Sequence, residues 1–445
     1  MKLAVYPKYK PSEKDWLYQI PEHWKEKRVK FSLSYIGSGK TPKGGANVYV
    51  NEGISLFRSQ NVHDSGMRLD DVVHITDEAD ALQAGSRVKE HDVLLNITGA
   101  SIGRTSVVTA KVLPANVNQH VCILRTEQEK ILSSYLHRLL CSKIAKDQVL
   151  ENENGTSREG LNFVQVANLF FPLPPIHEQT QITKFLDYKT AQIDRLIEKK
   201  KALIEKLGEQ RIALITQAVT KGLNPDAPMK DSGVAWLGEV PKHWEVLSIK
   251  RLTPVKRGAS PRPIQDPKYF DDDGEYSWVR IADVTANDHY LVNTYQTLSE
   301  LGRSLSVPLE PGRLFLSIAG SVGKPMITKI KCCIHDGFVY FPYYDHSQEF
   351  LYYIFYCGQP YLGLGKLGTQ LNLNTDTVGD IKIGLPPIQE QEKIVEYLHV
   401  KTKKIDRMCY AINSAIEKLN EYRTALITAA VTGKIDVRHW KPAHE

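Results

Sequence analysis

The amino-acid sequence predicts an α+β protein: two globular mixed α/β domains in tandem, separated and followed by long helices that form an antiparallel coiled coil with pseudo-twofold symmetry. Three observations predict it. An ordered set of motifs occurs twice, each set ends on Pro-Pro followed by more than forty residues without another proline, and apolar residues in those stretches recur every seven.

The repeat opens with Trp16, Pro21, His23 and Trp24, which return as Trp236, Pro241, His243 and Trp244 at an offset of 220. It closes with Pro174, Pro175, Ile176, Glu178 and Gln179, which return as Pro386, Pro387, Ile388, Glu390 and Gln391 at an offset of 212. A period of this length exceeds the roughly 20 to 50 residues of a solenoid repeat and marks duplication of a whole domain with its helix. The expected division is a first domain over residues 1–172, a first helix over 173–224, a second domain over 225–384, a second helix over 385–437 and a tail over 438–445.

Inside each domain the pattern is mixed. Val93 to Ile97 and Leu314 to Ile318 are apolar runs of strand length, ended by Gly99 and Gly320. Tyr135, Leu136, Leu139 and Leu140, and again Phe350, Leu351, Ile354 and Phe355, have helical spacing, which favours core packing over a base-stacking role for the aromatic run Tyr352, Tyr353, Phe355, Tyr356. Pro-Pro then sets a sharp boundary, because proline neither donates to a sheet nor enters a helix interior. Ile405, Ile412, Leu419 and Leu426 recur every seven residues in the second helix, with Met408, Ala415 and Ile416 between them. Ile193, Leu207 and Leu214 match them in the first, supported by Leu196, Leu203 and Ile204, and Lys200 breaks the seam. About half the positions from Leu173 to Gly222 are identical to those from Leu385 to Lys434 without a gap, so the two helices are expected to pack on each other, each about 60 Å long for about 40 residues.

Composition narrows the function classes. The hydrophobic fraction of 42% and charged fraction of 24% are those of an ordinary globular chain, and the net charge of +6 leans only modestly towards an anionic partner. Six cysteines without CxxC spacing fit a reducing, cytoplasmic location. Nothing near Lys2, Tyr6, Pro7 and Lys8 has the apolar length of a signal peptide, and no stretch suits a membrane span.

Catalytic motifs are wanting. The segment Gly37, Ser38, Gly39, Lys40, Thr41 resembles a phosphate loop, but Ser34 stands where that loop needs its first glycine, and the second copy, Gly258, Ala259, Ser260, Pro261, has no lysine. Neither Pro-Pro pair has the polar residue before it that an amino-methyltransferase loop requires, and no HExxH or clustered Cys/His spacing offers a metal site. The chain reads as non-catalytic, with no catalytic, metal or cofactor residue of its own.

What recurs instead is a set of polar loops. Lys40 and Thr41 sit in the first, with Arg262 beyond the corresponding Gly258 turn. Arg58, Gln60 and Asn61 answer to Arg280 and Asp283. The turn holding Thr98, Ser101 and Arg104 answers to one holding Ser321 and Lys324, where glycines admit close backbone approach and the cation meets phosphate. Asn118, Gln119 and His120 answer to His335 and Asp336, and Thr156, Ser157 and Arg158 answer to Thr369 and Gln370, with Asn162 and Asn372 nearby. Gln and Asn suit bidentate pairing with adenine and Arg with guanine, although each such loop can equally hydrogen-bond its own backbone. The frames match while these loops diverge, as two heads reading two different half-sites would.

Together these features resemble the specificity (S) subunit of type I restriction-modification systems. The resemblance covers essentially the whole chain: the Trp-Leu and Pro-x-His-Trp opening, a variable domain, Leu-Pro-Pro-Ile-x-Glu-Gln, and the Ala-Leu-Ile-Thr-x-Ala-Val-Thr helix tail, all present twice. It implies two target recognition domains that bind a bipartite asymmetric site in double-stranded DNA, with the coiled coil setting the spacing. It further implies docking to two modification subunits, which methylate N6 of adenine, and two restriction subunits, with S-adenosylmethionine, ATP and Mg bound on those partners. The modification-subunit contact carries over to Pro174, Pro175, Glu178, Gln179, Pro386, Pro387, Glu390 and Gln391, and the competing role of the prolines is to set the entry angle into the helices. Two other readings stay open: a coiled-coil scaffold that binds proteins rather than DNA, and the recognition subunit of a type II restriction-methylation enzyme.

Overall fold

The computed structural model describes residues 4–42, 44–153, 160–361, 364 and 373–442. It divides into two compact units. One comprises Met1–Lys200 together with Asn413–Glu445, the other Lys201–Ile412. The units therefore cut across the linear division of the sequence, because each one takes its own half of its long helix and the far end of the other.

In the first unit, Leu33–Ser38, Val121–Thr126, Val93–Asn96 and Thr105–Val107 form an antiparallel four-stranded sheet in that order. A three-stranded sheet sets Ile54–Phe57 between Val73–Ile75 and, in parallel, Ala115–Val117. The run Val93, Leu94, Leu95 is apolar throughout because both of its faces are covered. Val93 and Leu95 join a large core with Cys122, Leu124, Tyr135 and Leu136, whereas Leu94 joins a second core with Phe57, Val117, Val121 and Ile123. Helix Ser133–Leu140 supplies Tyr135, Leu136, Leu139 and Leu140 to the first of these. Lys25–Arg28 pairs antiparallel with Phe170–Leu173, closing the head where the chain leaves it for the long helix.

The second unit repeats the plan. Leu314–Ser317 lies between Phe338–Tyr340 and Pro325–Thr328, Tyr276–Val279 runs parallel to Cys332–Ile334, and Glu245–Ser248 pairs with Lys382–Leu385. Leu314 and Leu316 again face one core and Phe315 the other. Phe350 to Phe355 are buried along helix Gln348–Tyr356, so the aromatic run builds core.

The long helices span Ile176–Lys221 and Ile388–Val431, 46 and 44 residues, about 70 Å each. In the first unit Asp194 faces Arg423 at 3.1 Å; in the second Arg211 binds Asp406, which are the corresponding positions exchanged. Rising numbers on one helix meet falling numbers on the other, so the pairing is antiparallel. Ile193, Leu207, Ile405, Ile412 and Leu426 are buried along the seam, with Leu214 and Leu419 partly so. The intermediate row is as expected at Ile204, Ala415 and Ile416, which are half-buried, and differs elsewhere. Leu196, Leu203 and Met408 are 43%, 44% and 41% exposed, and the positions turned inward are Ile197, Ile204 and Arg211 on one helix and Cys409, Ile416 and Arg423 on the other. A step of four from each heptad residue, rather than three, reaches the buried face here.

Each helix tail completes the core of the other repeat's head. Leu426, Ile427, Ala430 and Val431 pack with Ile20 and Trp24 in the first unit, and Ile215, Ala218 and Val219 pack with Val240 and Trp244 in the second. The tails stop at Gly433 and Gly222, both at positive φ, where an added Cβ would strike Pro21 in one case and press on Glu390 and Trp244 in the other.

Candidate nucleic-acid interface

In the first head, four of the polar loops meet at one end of the four-stranded sheet. Asn96, at the end of its strand, donates from Nδ2 to the Ser59 carbonyl at 2.8 Å and to Ser101 Oγ at 3.1 Å, tying the Arg58 loop to the glycine turn. A chain of side-chain bonds then crosses three loops. Thr98 Oγ1 lies 2.6 Å from His120 Nδ1, Gln119 Nε2 lies 3.1 Å from His120 Nε2, and the Thr41 hydroxyl donates to Gln119 Oε1. Gly39 is required here, since a Cβ would land 1.5 Å from the Val117 carbonyl oxygen. The GSGKT segment is thus a strand end seated against the Asn118 loop. Lys40, Gln60, Arg104 and Gln119 are exposed around this cluster.

Two expected readers turn inward instead. Asn61 is 1% exposed, accepting from the Arg58 backbone N–H at 2.9 Å and donating to the Arg68 carbonyl at 3.0 Å. Asn118 is buried and accepts from the His120 N–H at 3.0 Å. Both shape loops that present other side chains, because a buried amide must satisfy its own donors and acceptors first.

The second head holds its first arginine in the same way. Asp283 accepts from the Arg280 N–H at 2.8 Å, as Asn61 does for Arg58, and each guanidinium lies over a tyrosine, Tyr49 at 5.9 Å and Tyr295 at 6.0 Å. Elsewhere the heads part. Arg262, Arg280, His335 and Asp336 line one cleft of about 660 Å³, shared with Trp278, Phe270, Gln265 and Gln296. Asp336 accepts from Ser260 Oγ at 2.8 Å and from Arg262 at 3.0 Å, and the Ser260 hydroxyl above all holds its carboxyl below the usual range. Burial against Trp278 and Phe338 lowers the His335 imidazole, whose Nδ1 accepts from the Gly337 N–H at 2.7 Å. Lys324 does not match Arg104 in availability: its ammonium donates to the Asn287 carbonyl at 2.6 Å, whereas Arg104 is exposed. Ser321 bonds Thr285 at 3.0 Å. Thr156, Ser157, Arg158, Thr369, Gln370 and Asn372 lie outside the described residues.

Sequence reasoning missed Tyr49, Tyr295, Asn96, Trp278 and Gln296. Asn96 was read only as part of the strand run that recurs at Leu314 to Ile318, the others belong to no repeated motif, and only the fold brings them to the loops.

The polar helix-entry residues are bonded within the chain. Glu178 is 3% exposed, and its carboxylate accepts from the Tyr6 hydroxyl and Trp24 Nε1, both at 3.0 Å, and meets His23 Nε2 at 2.5 Å. Burial and the Glu178 carboxylate push the Tyr6 hydroxyl well above its ordinary range, so it stays a donor. Glu390 repeats this with Trp244 at 3.1 Å and His243 at 2.7 Å. Gln179 accepts from the Leu132 N–H and donates to the Pro174 carbonyl, and Gln391 accepts from Ser347 and donates to Pro386. Pro174 and Pro386 are buried, while Pro387 is exposed and Pro175 half-buried. The repeated motif therefore rivets head to helix.

Two mixed α/β heads, each closed by antiparallel long helices and each presenting its own polar loop cluster, define a class of duplicated two-domain proteins. The chain belongs to the type I restriction modification DNA specificity family, whose domain model matches residues 21–206 and again 241–418. It is similar to the type I restriction enzyme MjaVIII specificity subunit of Methanocaldococcus jannaschii, 24% identical over 95% of both chains. Among solved structures it resembles a chain from work on complex assembly and conformational transition of the type I R-M system, with a TM-score of 0.71 and 17% identity, covering 94% of this chain and 100% of that one. It also resembles the HsdS subunit from Thermoanaerobacter tengcongensis, with a TM-score of 0.50 and 16% identity, covering 94% and 99%. Among the described residues no helix is long and apolar enough to cross a membrane.

Proposed function

We propose that this chain is the DNA-reading subunit of a type I restriction-modification complex, each head reading one half of a bipartite asymmetric site. The long helices set the spacing and offer the docking surface for two modification subunits and two restriction subunits. It supplies recognition only; S-adenosylmethionine, ATP and Mg belong to the partners. The observation that carries this reading is the contrast between frame and loops. The rivets at Glu178 and Glu390 share their tryptophan and histidine partners, while the Thr41, Gln119, His120, Thr98 chain of the first head is replaced by the Ser260, Arg262, Asp336 cluster and its cleft in the second. Equal frames with unequal polar loops suit two half-sites of different sequence.

Exposed Arg104 and Lys40 suit phosphate contacts, which position without specifying, whereas Gln119, Arg262 and Arg280 have the donor geometry for base edges. The modest net charge of +6 fits a subunit whose DNA affinity depends on partners closing around the duplex. Co-expression with a cognate modification subunit and genome-wide mapping of N6-methyladenine is the test. A split, asymmetric methylated site is expected; a contiguous site, or no methylation from an assembled complex, overturns the proposal.

A further inference from the structure

The second unit brings together three side chains from distant parts of the sequence. His289 sits immediately before the strand Tyr290–Leu291, Glu349 lies in the first turn of helix Gln348–Tyr356, and His399 projects from the second long helix. His289 Nε2 lies 2.8 Å from Glu349 Oε2, and His399 Nε2 lies 3.4 Å from the same oxygen. One ligand atom from each residue falls within 4.8 Å of the other two. We propose that His289, Glu349 and His399 form a binding site for a divalent transition-metal ion of the zinc type, which fastens the second long helix to its head.

A close ion pair joins His289 to the carboxylate, and the second histidine meets the same oxygen only at a longer distance. His399 Nε2 is buried and makes no aligned hydrogen bond, although it points at an oxygen that His289 already contacts. A buried ring nitrogen held only by so long a contact is poorly satisfied, and a cation between it and the carboxylate would bond both. Zinc binds imidazole nitrogen at about 2.0–2.1 Å and carboxylate oxygen at about 2.0–2.2 Å, so its ligand atoms stand roughly 3.3 Å apart in a tetrahedral site. The two distances to Glu349 Oε2, 2.8 and 3.4 Å, bracket that value.

The surroundings resemble the outer support of a metal site. The Tyr290 hydroxyl donates to Glu349 Oε1 at 2.8 Å, holding the oxygen the ion does not use. The His289 ring is clamped between Tyr290 and Tyr352, with centroids at 4.1 and 3.8 Å and planes within 9°. Two imidazoles with one carboxylate select zinc, cobalt or nickel over magnesium or calcium, which prefer all-oxygen sets.

The first unit solves the same mechanical problem differently. Gln179 and Gln391 bond the N-termini of equivalent helices, at Leu132 and Ser347, which sets Ser134 opposite Glu349 and Asp187 opposite His399. There Arg138 reaches Asp187 at 2.6 Å and joins the head's helix to the long helix directly. The second unit has Tyr353 in place of Arg138 and its histidines in place of the ion pair.

The test uses the full chain, stripped with chelator and carrying no histidine tag. Zinc titrated calorimetrically is expected to bind at one site per chain and raise the melting temperature, and cobalt(II) is expected to give the intense visible bands of a four-coordinate site. Affinity should fall at least tenfold in His289→Ala, His399→Ala and Glu349→Gln, and stay unchanged in His177→Ala, an exposed histidine elsewhere. Zinc binding equal in wild type and in His289→Ala/His399→Ala overturns the proposal. So does a weak, octahedral-type cobalt spectrum in the wild-type chain, a readout that does not depend on any variant folding.

Discussion

Two carboxylates, Glu178 and Glu390, carry more of the architecture than their place in a conserved-looking motif suggests. Glu178 is surrounded by donors, so Glu178→Gln turns one oxygen into a second donor facing Tyr6, Trp24 or His23. A loss of about 1–3 kcal/mol in denaturant unfolding is expected, and a larger one than for the half-buried Glu390→Gln. His137 gives a pH signature. Burial, with Arg138 nearby, lowers its pKa from 6.5 to about 4. The unfolded chain therefore takes up a proton between these values while the folded chain does not, so stability rises with pH across that window and falls on acidification. The loss from neutral pH to about 4 is on the order of 3 kcal/mol at this site, and His137→Leu should flatten the slope; an unchanged slope would show that other groups dominate. The sequence named Glu178 and its neighbours, through the repeat, for a partner contact; their bonds within the chain were not legible, because Tyr6 and Trp24 are about 150 residues or more away and nothing local reveals that they converge. The metal cluster was hidden for the same reason. Local spacing argued against any metal site, and His289, Glu349 and His399 are joined only by tertiary structure.

At the scale of elements, the long helices were readable because a heptad is a local pattern, and their antiparallel pairing follows from two copies in one chain. The second seam row was only partly placed, since Leu196 and Leu203, expected beside Ile204, are as apolar as Ile197 and composition alone does not choose between a step of three and one of four. Lys200 sits half-buried where the other helix has buried Ile412. Lys200→Ile should stabilise the chain by about 1 kcal/mol, seen as a raised melting temperature; a fall would mean that the lysine stem already fills the seam. The glycine ends of the helices are less forgiving. Gly433→Ala combines φ of 72° with a Cβ 2.4 Å from Pro21 Cδ, and a loss of more than about 1 kcal/mol is expected by thermal unfolding. What the sequence did not disclose is the exchange of helix tails between the repeats. The Ala-Val-Thr blocks are alike because each packs against a buried tryptophan, Trp24 or Trp244.

For the whole molecule, the claim is that two equal frames carry two different readers. Arg104→Ala should weaken DNA binding by the assembled complex about equally on all sequences and lower the salt dependence by about one ion, whereas Arg262→Ala should relax preference within one half-site only. The most direct measurement exchanges a reader while keeping its frame. Each head leaves its base through one strand pair, Lys25–Arg28 with Phe170–Leu173 or Glu245–Ser248 with Lys382–Leu385. Replacing residues 249–381 with residues 29–169 places the first reader on both frames. Adenine-methylation mapping of cells that co-express this chain with the modification subunit should then show a site whose halves are inverted copies of the half read by the first head. Methylation that stays at the original asymmetric site would contradict the account.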